Sequence, residues 1–387
     1  MWKKFILASL SLAIVLSASA GVNAQPRSFQ FSRQPRPMHE RFNTPGNIYI
    51  ADQFNHRIIE VTEDNNIVWS FGSGNPRLCN PGPGTIIGPN DTERVGTFTF
   101  MAGTGVPPAV IPEMPAGCVD NRVIAVDFAG HIVWQYGMAG VAGSGYNQLN
   151  VPVSDVSLPN NHVLITDQSN ERVIEVTLDH KIVWQYGKTG VTGSGPGELN
   201  NPNYALLLAN GHILISDENN NRVLEVTHDL KKTVVWHYGE PNNTALVNGA
   251  AFASRLPNGN TLITSSNDAR IIEITLDKKV VWTYFTNLQV GSIVAPLPTR
   301  AVRTACGLTL ISNQFDQQVI AVNHAKQIVF AQGVINKHGT KFNHLYGPYD
   351  AKVVGDYTGL TPPFDTERDN NENVECDGSD AMRVRQP

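Results

Sequence analysis

Apolar and polar positions alternate along this chain in short stretches, and one phrase recurs. In His162 to Gly187, HVLITDQSNERVIEVTLDHKIVWQYG, two apolar runs (Val163 to Thr166 and Arg172 to Val176) flank the polar cluster Asp167 to Glu171. After a turn at Leu178 to His180, Lys181 to Tyr186 alternates, with Ile182, Trp184 and Tyr186 on one face. A period of two broken by polar clusters predicts three short strands joined by tight turns, and no helix fits it.

The phrase returns at Asn47 to Gly72, His212 to Gly239 and Asn260 to Phe285; Leu308 to Gly333 is a decayed copy, and Arg122 to Gly137 keeps only its second half. Matching isoleucines at Ile165, Ile215, Ile263 and Ile311 recur about every 50 residues, the period of a four-stranded propeller blade. LNVPVSDVSL (Leu149 to Leu158) and LNNPNYALLL (Leu199 to Leu208) read as innermost strands. The first repeat lacks one, and LYGPYDAKVV (Leu345 to Val354) has no repeat after it. The expected fold is therefore all-β: a six-bladed β-propeller of four-stranded antiparallel blades, closed by a C-terminal strand that completes the N-terminal blade and removes free edges.

Blade two is irregular. Its Pro- and Gly-rich stretch, about residues 103–120, reads as an insertion, and insertions into repeats fall in loops, often on the working face. Outside the propeller (45–357), Lys3 and Lys4 before an apolar run to Leu16 mark residues 1–24 as a signal peptide cut before Gln25, or nearby after Ala20. Residues 25–44 form an Arg-, Pro- and Gln-rich arm, and 358–387 an acidic tail expected to be largely disordered. An exported protein, secreted or periplasmic, follows.

Charge narrows the partners. A net charge of -5 with only 16% charged residues offers no basic stripe for nucleic acid, and no later run is long enough to span a membrane as a helix. A monomer is expected. Four cysteines suit an oxidising compartment, and their positions favour Cys79 with Cys118 across the insertion, and Cys306 with Cys376 at the tail.

Two repeated residue sets have structural explanations. Trp69, Trp134, Trp184, Trp236 and Trp282, with Phe330 sixth, occupy one slot on the outermost strand and read as packing between blades rather than a ligand cage. Asp52, Asn55 and Arg57 recur as Asp167, Asn170, Arg172 and as Asp217, Asn220, Arg222. Each Asp has an Arg five residues on, so turn chemistry accounts for the set without a metal. The glycine-rich connections Gly137 to Asn150 and Gly187 to Asn200 lack a phosphate-loop lysine and precede strands.

With LNxP, NGxxLI, DxxNxR and VxEV in order, residues 47–354 resemble the NHL-repeat β-propellers, and VVWxYG is also similar to arylsulfotransferase-like and PQQ-like blades. The resemblance implies the fold. For function it implies a range, from protein-interaction modules to a peptide-amidating lyase, a streptogramin lyase and sulfotransferases. Where a sulfotransferase-like propeller would carry His-Asp, this chain has Ala250 and Ala251.

In such a blade one face, here called the first face, bears the outer-to-inner connections and the second-to-third strand turns. Only His56, His338 and His344 belong to it, and they are expected as exposed loop residues. The starts of the inner strands line the channel, making Ser154, Asp155, Asn203, Tyr204, Tyr349 and Asp350, with His344 at the mouth, the candidate ligand-binding residues. Asp155 and Asp350 would there hold a divalent cation, titrate high, or be hydrated by channel water. No cofactor signature, metal-ligand set or catalytic residue is evident. The expected function is non-enzymatic binding of a protein, peptide or glycan through first-face loops; the alternative is an exported lyase or transferase with its site at the channel mouth.

Overall fold

The computed structural model describes residues 41–363, 374–376 and 382–384. The expected signal peptide, the arm to residue 40 and most of the acidic tail lie outside them. Six four-stranded antiparallel sheets form the propeller. Blade two holds β4 (Pro89–Val95), β5 (Phe98–Val106), β6 (Cys118–Val126) and β7 (Ile132–Gly137), and blade three holds β8 (Pro152–Ser157) to β11 (Ile182–Tyr186). Blades four, five and six start with β12 (Pro202–Leu207), β16 (Ala250–Arg255) and β20 (Pro298–Arg303).

Blade one closes the ring as its missing strand requires. β24 (Pro348–Val353) pairs antiparallel with β1 (Ile48–Asp52), which continues to β2 (Arg57–Val61) and β3 (Ile67–Gly72). Every blade thus has four strands, and each inner strand, though the edge of its sheet, is buried at the axis instead of facing solvent.

The core is divided into slabs between blades. Five tryptophans span the seams, each donating its indole N–H to a turn carbonyl of the next blade: Trp69 to Phe128, Trp134 to Leu178, Trp184 to Asp229, Trp236 to Leu276 and Trp282 to His324, at 2.9 to 3.4 Å. Phe330 cannot donate, and at that closing seam Asn65 Nδ2 reaches the Ala331 carbonyl instead. The VxEV glutamates add a second cross-seam contact. Glu60, Glu225 and Glu273 pair with Arg94, Arg255 and Arg303 on the next inner strand, and Glu175 with His228.

Both ends of the axis are covered. On the first face the blade-two insertion folds inward, burying Ile111 and Met114 against Phe54, Tyr346 and the partly buried Phe315 of blades one and six. Its base is fixed by the Cys79–Cys118 disulfide, Cα atoms 5.7 Å apart, as the cysteine positions suggested. Cys306 is also disulfide-bonded, while the side chain of Cys376 lies outside the described residues.

At the opposite mouth the chain continues past Tyr357 and crosses the ring. Asp356 Oδ2 accepts the Ala305 N–H of blade six, Tyr357 Oη donates to the Arg94 carbonyl of blade two, and Thr361 Oγ1 both accepts from Leu207 N and donates to Leu207 O in blade four.

Candidate functional site

Each inner strand begins after a residue with φ between 52° and 70°: Gly88, Val151, Asn201, Gly249, Leu297 and Gly347. The preceding blade anchors five of these bends. Their N–H groups donate to His56 Nδ1, Asn121 Oδ1, Glu171 Oε2, Asn221 Oδ1 and Gln317 Oε1, at 2.6 to 3.1 Å. Each acceptor occupies a left-handed position at the second-to-third strand turn, or its equivalent in blade two.

This corrects the reading of His56, which is fully buried rather than exposed. Burial lowers its pKa to about 4, so the ring is neutral and Nδ1 serves as an acceptor. His344 caps its own loop through Nδ1 and the Phe342 carbonyl, and His338 stacks on Tyr346 with ring centroids 4.2 Å apart. The three first-face histidines therefore have separate local roles.

The Asp, Asn and Arg set does turn chemistry, with a reach beyond the turn. Asp167 Oδ2 accepts from Asn170 Nδ2 and Arg172 Nε, while its Oδ1 accepts the Asn150 N–H of the incoming connection. Asp217 and Asp52 repeat the clamp on Asn200 and Tyr346. In blade two, sequence reasoning missed Asp120, which moves the carboxylate to the start of β6, where Oδ2 accepts Ile87 N and Arg122 pairs with it. The Asp-x-Arg spacing at the half-copy's start was the available signal.

The axis is filled by the chain's own charges. Arg300, without solvent exposure, extends from blade six across the ring, donating to Asn203 Oδ1 and the carbonyls of Ala251 and Val153. Its guanidinium lies 4.9 Å from the ring centroids of both Tyr204 and Tyr349. Below it, Lys352 Nζ contacts Asp350 Oδ2 at 2.5 Å, Asp91 Oδ1 at 2.7 Å and the Thr92 carbonyl at 2.7 Å. The position between Asp91 and Asp350 that a cation would take is thus held by an ammonium of the protein itself. Among the described residues, no group of three or more His, Cys, Asp or Glu could hold a metal ion.

The buried carboxyls divide into two kinds. Burial raises Asp91 to about 7 and Glu93 to about 8, and burial with the neighbouring Asp91 and Glu93 carboxylates pushes Asp155 well above its ordinary range. Asp350 lies below its ordinary value because, although burial opposes its charge, Lys352 and a hydrogen bond from Asp91 outweigh it. Burial also opposes the Lys352 ammonium, but Asp350 and Asp91 hold it well above its usual pKa. Near neutral pH the cluster is an ionised Asp350–Lys352 pair beside protonated Asp155 and Glu93, with Asp91 close to its midpoint.

The sequence candidates therefore lie around one axis but differ in access. Ser154, Asp155, Asn203, Tyr204 and Asp350 are buried; Ser154 Oγ donates to Thr166 Oγ1. Tyr349 is half-buried at the first-face mouth, where its hydroxyl accepts from Asn203 Nδ2, which also donates to the half-buried Glu218. His344 lies on the connection into β24, where its Nδ1 donates to the Phe342 carbonyl.

Beside the cap, a cleft of about 630 Å³ opens between the blade-two hairpin and blade three. Its walls include the disulfide, Val106 to Pro108, Val119, Val151, Gln168 and Ser169. The first-face connections also carry apolar side chains in solvent, with Tyr146 76%, Leu288 77%, Val290 95%, Val294 89% and Phe342 65% exposed.

No protein-family model and no curated protein sequence matches the chain. Among solved structures it is similar to a protein of unknown function from Bacteroides caccae, at 12% identity and a TM-score of 0.52 over 74% of this chain and 93% of that one. A chain from a nidogen/laminin complex is 11% identical, with a TM-score of 0.50 over 80% of this chain and 98% of its own. A streptogramin B lyase is 13% identical, with a TM-score of 0.48 over 73% and 78% of the two chains. At these identities the likeness is one of fold.

Proposed function

We propose that this is an exported, non-enzymatic propeller, NHL-like in its repeats, that holds a protein, peptide or glycan partner on its first face. The observation that carries the reading is the contrast between axis and rim. Asp155, Asp350 and Arg300 have no solvent exposure, so a ligand has no path to the axial carboxyls, whereas the surrounding connections present Tyr146, Leu288, Val290, Val294 and Phe342. The opposite face exposes single apolar side chains turn by turn, among them Leu178, Leu230 and Leu276, so the larger apolar set on the first-face connections supports a binding surface there. The disulfide supports export, since such bonds persist outside a reducing cytosol.

The test compares faces. Tyr146→Asp with Phe342→Asp should abolish retention of a partner from the extracellular fraction, and Leu230→Asp on the opposite face should leave it intact. The reverse dependence would overturn the reading. N-terminal sequencing of the exported protein should begin at Gln25 or Gly21; a retained Met1 would contradict export by cleavage.

A further inference from the structure

We infer that the blade-two cleft is the anchor site of this first face, and that its occupant is an uncharged segment of a protein partner inserting an aromatic or branched aliphatic side chain. The inference rests on the first-face reading and deepens it. No wall residue of the cleft carries a charge. The hydroxyl of Thr104 is committed to the Pro152 carbonyl, leaving the Gln168 and Ser169 side chains as polar wall groups at the blade-three edge. A charged group entering there would lose its water without meeting a counter-ion, whereas an apolar side chain would lose only water contact.

Backbone strain marks the same place. At the bend before each inner strand three blades use glycine, blades four and six use Asn201 and Leu297, and blade three alone holds a β-branched residue, Val151 at φ 56°. A β-branched residue in the left-handed region is sterically disfavoured, its Cβ crowding the following carbonyl oxygen. Here that residue lines the cleft. The Cys79–Cys118 disulfide, Pro107 and Pro108 stiffen the facing wall, so the site is formed before its occupant arrives.

The experiment titrates the intact protein with N-phenyl-1-naphthylamine, an uncharged aromatic fluorophore standing in for the anchor. One saturable site is expected, displaced by N-acetyltryptophanamide but not by anionic N-acetyltryptophan. Val151→Gly should leave thermal stability equal or higher yet weaken the probe by about tenfold. Ala116→Trp, which fills the opening, should do the same, and reduction of the Cys79–Cys118 disulfide should also weaken it.

Absence of saturation, unchanged affinity in both variants, or displacement by N-acetylglucosamine oligomers instead would overturn the inference. Retention of a partner through Tyr146 and Phe342 without saturable probe binding would sink the cleft alone. Probe binding at the cleft with partner retention indifferent to Tyr146 and Phe342 would sink the face reading alone.

Discussion

Lys352 shows how much of this molecule rests on single buried charges. Replacing it with Met leaves Asp350 ionised with its ammonium gone, and breaking a buried pair in this way costs about 3–5 kcal/mol. Urea unfolding should show that loss, and adding Asp350→Asn to Lys352→Met should recover part of it. Failure of the second change to help would mean that the pair is not the stabilising unit.

Glu93 sets the pH dependence. Its folded pKa, about 8, lies above the unfolded value, so its contribution is complete below the unfolded carboxyl range and is lost as pH rises to about 8. Asp91, at about 7, acts in the same sense. Denaturant midpoints should therefore fall between pH 5 and 8, by up to about 1.4 kcal/mol per pH unit for each proton, and Glu93→Gln should flatten the slope. A midpoint that rises over this range in the wild type would contradict the assignment.

His56 is a further residue-scale case. His56→Leu, which removes the acceptor of Gly88 N–H, should destabilise by about 1–3 kcal/mol, with His56→Asn milder because its neighbours in the ring include Asn121 and Asn221. The sequence displayed His56 but not its job. Its counterparts are Asn, Glu, Asn and Gln, so only the shared left-handed turn, invisible as a residue type, unites them.

At the scale of elements, the seams obey a rule that one chain can teach by comparing its own blades. Where the third position of the VxEV run is Glu, the next blade supplies a partner: Arg94, His228, Arg255 or Arg303. Blades two and six have Ala125 and Ala321 there, and the following inner strands end in Ser157 and Val353. The partners are gained and lost together, as a charge buried in a seam requires.

The indole bonds are the second seam device. Trp69→Phe should cost about 1 kcal/mol by removing the donor to Phe128 O, and Trp69→Ala about 3–5 kcal/mol through the cavity it leaves. Equal losses in thermal unfolding would mean that the indole bond matters more than the packing. The tryptophan period made the packing legible from sequence, because each side chain repeats once per strand pattern. The bond to a neighbouring turn was not legible, since any residue there supplies a carbonyl.

For the whole molecule, strand order, blade number and closure by β24 were all written in the hydrophobic period and in the orphan inner strand near the C-terminus. A chain ending at residue 344 should accordingly lose cooperative unfolding, having neither β24 nor the Asp350–Lys352 pair; a normal transition would show that the ring closes otherwise. What sequence did not show was the fate of the channel. Arg300 and Lys352 read as ordinary charges in separate strands, and their meeting at the axis depends on ring geometry that no local pattern encodes.

An axis sealed by the protein's own ion pair leaves the proposed recognition to the rim. Carboxyl labelling of the native protein with a water-soluble carbodiimide and glycine ethyl ester, read by peptide mass spectrometry, tests that seal most directly. Asp91, Asp155 and Asp350 should stay unlabelled while exposed Asp179 and Glu240 react; labelling of Asp155 or Asp350 at surface rates would contradict the account.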